Sequence, residues 1–245
     1  MSRVRIQLEP GYLLSARSYR DTSLLIEVFT STQGRVGLIA RGARGPRSKT
    51  RALLQVLQPL LLSWHASGDL GSLVSVESAG PPLPLCGERV FYGWYINELL
   101  LKLLQRHDPH PALFEAYATA LAQLAGEHAE AALRIFEKRL LAELGYGLHL
   151  PETLLPEQRY LYDPNIGVLP AGAGGASYAG TSLIALEQET LDSPAALADA
   201  RHLLHQALEV QLAGKTLETP RLLRELRGRR VATANPVGQE NECDG

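Results

Sequence analysis

The hydrophobic period of this chain switches once, and the switch falls on a run of prolines. Gly80-Pro81-Pro82-Leu83-Pro84 sets three prolines within four residues. Proline has no amide donor for a strand ladder and disrupts a helix interior, so such a run is a stiff spacer between folded elements. Apolar residues alternate before it and recur every three or four positions after it. The chain is therefore expected to be α+β, with a strand-rich unit over residues 1–80 and a mainly helical unit over residues 81–230. At 245 residues it is long enough for two such units, each with a core.

In the first unit the spacing predicts a strand over 11–18, where Tyr12, Leu14 and Ala16 alternate with Leu13, Ser15 and Arg17. A polar turn leads to a second strand over 24–30. Gln33-Gly34 supplies a tight turn into a third over 35–41, with Val36, Leu38 and Ala40 inward. Strands over 57–65 and 72–78 follow, joined by Ser67-Gly68-Asp69. Five short strands with no long helix among them predict a small closed or nearly closed barrel, either an OB-fold or an SH3-like barrel.

Beyond the spacer, 88–105 carries Val90, Phe91, Trp94, Tyr95, Leu99, Leu103 and Leu104 in one broad helical stripe. Asp108-Pro109-His110-Pro111 ends that helix and opens a second, with Leu113, Phe114, Tyr117, Leu121 and Leu124 in line. A third over 127–144 lines up Leu133, Phe136, Leu140, Leu141 and Leu144, and Gly145 follows where a left-handed residue is needed. Residues 146–180, rich in Pro and Gly, read as an irregular excursion with a short hairpin near 160–169. Ser193-Pro194 and Thr219-Pro220 open two more helices, the last a short one over 221–226. Residues 231–245 show no pattern and are expected to be a disordered tail.

Charge is divided as sharply as period. The chain carries a net −2, yet residues 1–80 sum to +5 and the remainder to −7. The positive charge is densest over 34–51, GRVGLIARGARGPRSKTR, with six basic residues and no acidic one. Gly42, Gly45 and Pro46 argue against a helix, so the segment after Ala40 is expected to be a flexible loop leaving the third strand. Guanidinium groups offer forked donors to phosphate oxygens, and glycine lets the main chain approach them. Arg35, Arg41, Arg44, Arg47, Lys49 and Arg51 are accordingly assigned to phosphate contact, with Arg17 and Arg20 as additions. The imbalance points to a polyanion partner for the first unit and to protein docking for the acidic second. Tyr12, Tyr19 and Phe29 are open between base stacking and core.

Other chemistry finds little support. His107-Asp108-Pro109-His110 clusters metal-ligating types but reads as an inter-helix turn, without the three or four convergent ligands that a metal site needs. The glycine-rich run near 171–175 follows no convincing strand and lacks dinucleotide spacing. No nucleophile elbow, zincin helix or phosphate loop occurs, so no catalytic residue is assigned. Cys86 and Cys243 lie too far apart for a disulfide framework and fit a reducing compartment. No apolar run reaches the roughly 18 residues of a membrane span, and no signal peptide is expected.

Several stretches together resemble one family, the bacterial recombination mediator RecO. They are Gly11-Tyr12-Leu13-Leu14, Tyr19-Arg20-Asp21-Thr22-Ser23, the run from Gly34 to Arg44, Gln58-Pro59-Leu60 and Tyr95-Ile96-Asn97-Glu98-Leu99. Asp108-Pro109-His110-Pro111 with Leu113-Phe114, and then Gly214-Lys215-Thr216-Leu217, complete an ordered set over nearly the whole chain. The resemblance implies an N-terminal OB-fold, a helical second domain and a non-catalytic part in recombinational repair. It further implies binding of single- and double-stranded DNA, annealing of complementary strands, and loading of the RecA recombinase with RecR on DNA covered by single-stranded-DNA-binding protein. A cytoplasmic, nucleoid-associated location goes with that work. Many relatives carry a four-cysteine zinc module after the third helix; residues 146–178 hold no cysteine here, so no zinc or other cofactor is expected. Two rival readings differ in class: an adaptor whose basic loop meets an acidic protein, and a metal-dependent nuclease.

Overall fold

The computed structural model describes residues 4–151, 153–172 and 177–234. Strands β1 (Val4–Tyr19), β2 (Ser23–Thr30) and β3 (Gly34–Ala40) form a meander. A short helix α1 (Lys49–Leu53) precedes β4 (Pro59–Ala66) and β5 (Leu70–Ser78). The sheet closes in the order β1-β2-β3-β5-β4, antiparallel except for the β3–β5 pair, which gives the five-stranded OB-fold barrel. Paired positions such as Ile26 with Leu38 and Val28 with Val36 turn inward together. With Leu13, Leu60, Leu62 and Trp64 they fill the barrel.

β1 starts earlier than its alternation over 11–18 indicates. Val4, Arg5 and Ile6 pair with Ala66, His65 and Trp64, and a register shift before Glu9 joins this ladder to the next one. Pro10 and that bulge mask the continuity in sequence.

Six helices make up most of the remainder: α2 (Glu88–Leu103), α3 (Pro111–Gln123), α4 (Ala129–Glu143), α5 (Gly180–Glu187), α6 (Pro194–Leu212) and α7 (Glu218–Ala234). Between α4 and α5 the expected hairpin is present as β6 (Arg159–Asp163) and β7 (Gly167–Pro170), with β8 (Tyr178–Ala179) on the other edge of β6. Tyr160, Val168 and Tyr178 bury themselves in the helical core. Part of the segment expected to be irregular is therefore packed structure, and α5 begins where that expectation ended.

The last helix is longer than the short one over 221–226. The Glu98 carboxylate accepts from the amides of Glu218 (2.8 Å) and Thr219 (2.9 Å), capping α7 from α2. Arg227 pairs with Glu88 further along, and Arg221 with Glu218. The helix runs to Ala234, where a disordered tail was expected from 231; residues 235–245 lie outside the described residues.

Barrel and helices share a core. Leu14, Phe29 and Leu57 belong to the helical cluster and not to the barrel interior. Phe29 meets Phe114 and Tyr117 at ring-centroid distances of 5.5 and 6.0 Å, and Tyr12 meets the same two rings at 5.7 and 4.9 Å. Asn97 of α2, itself buried, donates to the carbonyls of Leu13 and Leu14 and accepts from Tyr117 Oη at 2.6 Å. Tyr12 and Phe29 are thus seam residues and no base-stacking platform. Trp94, placed in the helical stripe by its spacing, is 40% exposed and stacks edge-on against Phe91.

A shared core predicts cooperative unfolding. Phe29→Ala should cost about 3–5 kcal/mol. In a Trp94→Phe background, urea melts followed by Trp64 fluorescence and by helical circular dichroism should coincide, shifting together when Phe29 is removed. Two separated transitions would contradict the shared core.

Candidate nucleic-acid interface

The basic residues of the barrel gather where β1 ends, β2 begins and β3 leaves the sheet. The pairings Ser18–Leu24 and Leu24–Ala40 put Arg17, Arg20 and Arg41 at the same end of three adjacent strands. Arg20 occupies the left-handed region (φ 51°), an uncommon conformation for a residue with a Cβ. Its guanidinium carbon lies 5.3 Å from the Tyr19 ring centroid. The loop after β3 is tied to this turn: Arg44 N–H donates to Thr22 O, and Arg44 Nη1 to the carbonyls of Arg20 and Asp21.

That loop is more ordered than its glycines indicate. Ala43 is buried in the barrel core, and Ser48 caps α1 by accepting from Arg51 N–H. Lys49 and Arg51 therefore ride on a helical turn, which corrects the expected flexible loop. The buried side chains of Ala43 and Leu54 staple the segment at both ends, something the charge run conceals.

Arg17, Arg20, Arg41, Arg44, Arg47, Lys49 and Arg51 are all exposed. Among the described residues none of them lies within ion-pair distance of a carboxylate. The helices behave differently: Arg139 pairs with Glu189, Arg201 with Glu130, Arg221 with Glu218 and Arg227 with Glu88. Seven exposed basic side chains without a carboxylate within ion-pair distance thus gather on the barrel.

Arg35 leaves the phosphate-contact set. Its side chain is 17% exposed and points at the helices, where Nη1 donates to Leu101 O at 2.5 Å and Leu104 O at 2.9 Å. Those carbonyls close the C-terminal turn of α2, the end that attracts a cation. Glu27 lies 3.2 Å from Arg35 Nε and also pairs with Arg106. Burial draws the Arg35 pKa below its ordinary value and Glu27 opposes the shift, whereas Glu27 raises that of Arg106. The neighbouring turn needs glycine: Gly34 has φ 64°, and a Cβ there would collide with Asp108 O.

A second surface lies wholly on the helical half. α2, α4, α6, α7 and the 214–217 connection enclose a groove of about 820 Å³, lined in part by Tyr95, Leu133, Arg134, His202, Leu217 and Arg224. Under its floor Glu137, fully buried, accepts from Tyr95 Oη at 2.6 Å and lies 2.9 Å from Arg134 Nη1. Burial raises the Glu137 pKa, with Arg134 and the Tyr95 hydroxyl opposing, and burial likewise raises that of Tyr95. Sequence reasoning passed over this trio, although a signal existed. Glu137 falls four residues after Leu133 and four before Leu141, inside the apolar stripe.

Comparison with known proteins covers both halves. Residues 1–82 match the family described as Recombination protein O N terminal, and residues 86–220 match Recombination protein O C terminal. A DNA repair protein RecO of Nitrosococcus oceani is 43% identical over 234 residues, 91% of this chain and 95% of the relative. The protein of that name from Methylococcus capsulatus is 41% identical over 227 residues, 90% of this chain and 94% of the relative. One from Coxiella burnetii is 40% identical over 230 residues, 89% and 98% of the two chains.

The Arg35 geometry makes a prediction. Arg35→Ala should lower stability by about 1.5–3 kcal/mol, the range for hydrogen bonds from a charged group. Arg47→Ala, on the exposed loop, should stay within about 0.5 kcal/mol. Urea titration of both variants measures the difference, and equal effects would mean that Arg35 does not clamp α2.

Proposed function

The chain belongs to the recombination protein O family, whose relatives above are DNA repair proteins, and from that premise we propose that it is a non-catalytic, DNA-binding recombination mediator. The observation that carries the reading is the set of seven exposed basic side chains on the barrel with no carboxylate within ion-pair distance among the described residues. Arg17, Arg20, Arg41, Arg44, Arg47, Lys49 and Arg51 hold the phosphate backbone of single- or double-stranded DNA. The barrel, residues 1–80, is the DNA-binding domain. Contacts of this kind position a strand and leave its base edges free. Neutralising two complementary strands on such a surface lowers their repulsion and raises their local concentration, which favours annealing.

Residues 81–230 supply the protein contacts. With RecR, and on DNA covered by single-stranded-DNA-binding protein, the chain helps to load RecA. The helical groove supports docking of a protein partner, since it joins aromatic and aliphatic walls to basic side chains. No catalytic role is assigned to any side chain.

Engaging about five phosphates should give log affinity for single strands a slope near −3.5 against log salt. Arg44→Glu with Arg47→Glu should weaken binding strongly and flatten that slope by about 1.4, two contacts' worth. Fluorescence anisotropy with a labelled oligonucleotide across a salt series reads both quantities. A flat response, or a double variant that binds as the parent does, would favour an adaptor whose basic loop meets an acidic protein. Release of labelled fragments in the presence of Mg²⁺ would instead expose a nuclease.

A further inference from the structure

Four aromatic residues belong to the barrel half: Tyr12, Tyr19, Phe29 and Trp64. Tyr12 and Phe29 are taken up by the seam, and Trp64 fills the barrel interior. Tyr19 joins neither apolar core among the described residues, and it is only half-buried. Over its ring lies the Arg20 guanidinium, 5.3 Å from the centroid. A ring that packs into no core adds little to the fold. The turn that carries it is nonetheless tightly specified. Tyr19 pairs with Ser23 at the last rung of the β1–β2 ladder, and Arg20 takes the left-handed backbone region (φ 51°). Arg44 holds the three carbonyls that follow the ring, those of Arg20 and Asp21 through Nη1 and that of Thr22 through its amide. Strained backbone that its surroundings over-determine is a mark of functional positions. Arg17, two residues earlier on β1, shares the face of the strand that Tyr19 occupies, so the ring stands among the exposed basic side chains.

We propose that the Tyr19 ring is a stacking subsite for one unpaired base, and that it gives the barrel a preference for single strands over duplexes. The inference deepens the proposed DNA-binding reading and rests on it. Phosphates are present on both forms of DNA, so the seven basic side chains alone do not tell them apart. A duplex keeps its bases stacked on one another, whereas an unpaired base of any identity offers a free π-face to an aromatic ring. The base takes the ring face that Arg20 covers in the free chain, and the displaced guanidinium turns to the phosphate of that nucleotide. The exchange is favourable because an exposed cation–π contact is weaker than base–aromatic stacking. Stacking also grips a base by its face and leaves the pairing edge open. A complementary strand can therefore pair with it, and pairing draws the base off the ring into the new duplex.

The test uses the full-length chain and three fluorescein-labelled ligands: a thymidine oligonucleotide, an abasic oligonucleotide with the same number of phosphates, and a duplex. By anisotropy the parent chain should bind the thymidine strand about tenfold more tightly than the abasic one. Tyr19→Ala should remove that preference, weakening the thymidine strand about tenfold and leaving the abasic strand and the duplex unchanged. The slope of log affinity against log salt should not move, because no phosphate contact is lost. Tyr19→Phe should bind as the parent does, since stacking needs the ring and not the hydroxyl. Tyr19→Leu keeps apolar bulk without a π-face; it should lose the preference as Tyr19→Ala does, and it serves if that variant does not fold. Arg20→Gly, which suits the left-handed turn, should weaken all three ligands and flatten the single-strand slope by about 0.7, one contact's worth. Equal weakening of all three ligands by Tyr19→Ala would reduce the ring to a support of the turn and overturn the subsite. A parent chain that binds thymidine and abasic strands alike would overturn it too, with DNA binding intact. Binding of none of the three would remove the DNA-binding reading and this inference with it.

Discussion

The molecule depends on β1 and β2 being buried on both faces. A five-stranded barrel ordinarily turns one face of each strand to water, but here Tyr12, Leu14 and Phe29 on the outside pack against α2 and α3. That explains why Leu24–Val28 is so apolar and why the alternation of β2 is weak. Burying a Phe side chain contributes about 1.5–3 kcal/mol, and the seam holds four aromatic rings in mutual edge or tilted contact. Asn97 supplies direction to a junction that is otherwise only greasy. Its amide reaches two β1 carbonyls while Tyr117 donates to its oxygen, so one register of helix on strand satisfies the group and others strand it.

Once the halves are fixed in this way, their charges stay apart. Carboxylates of the helical half are occupied with neighbours on that half: Glu189 with Arg139, Glu130 with Arg201, Glu88 with Arg227. The carboxylate that faces the barrel interface, Glu27, is a barrel residue saturated by Arg35 and Arg106. Among the described residues no acidic side chain of the helices forms an ion pair with the arginines at the β1–β2 end. Exposed ion pairs within each half contribute little to stability. Their larger consequence is that the carboxylates of the helical half are taken up locally and form no ion pair with the exposed arginines of the barrel among the described residues.

The parts of the fold legible in the sequence were those written as a period. The alternation on either side of Gln33-Gly34 gave β2 and β3 nearly to the residue, and Ser193-Pro194 gave the start of α6. The rest depended on contacts between elements distant in the chain. α7 begins ahead of its own pattern because Glu98, 120 residues earlier, caps its first turn. The basic loop is held by Ala43 entering the barrel, a single methyl group that no charge count registers. Trp94 failed because a helical stripe more than one face wide cannot say which edge is covered.

Arg35 and Arg41 make the same point within one strand and its exit. Both are arginines six residues apart in a run without acidic neighbours, and composition treats them alike. Arg35 ↔ Phe29 pairing puts the first beside the seam, where the open carbonyls of Leu101 and Leu104 await a donor. Arg41 follows the last paired residue of β3 and is exposed. Position along a strand therefore decides which guanidinium holds the molecule together and which remains exposed. The groove takes no lining residue from the barrel, and the exposed basic set takes none from the helices. α2 touches both halves of this arrangement: its Asn97 and C-terminal carbonyls grip the barrel while its Tyr95 reaches the buried Glu137.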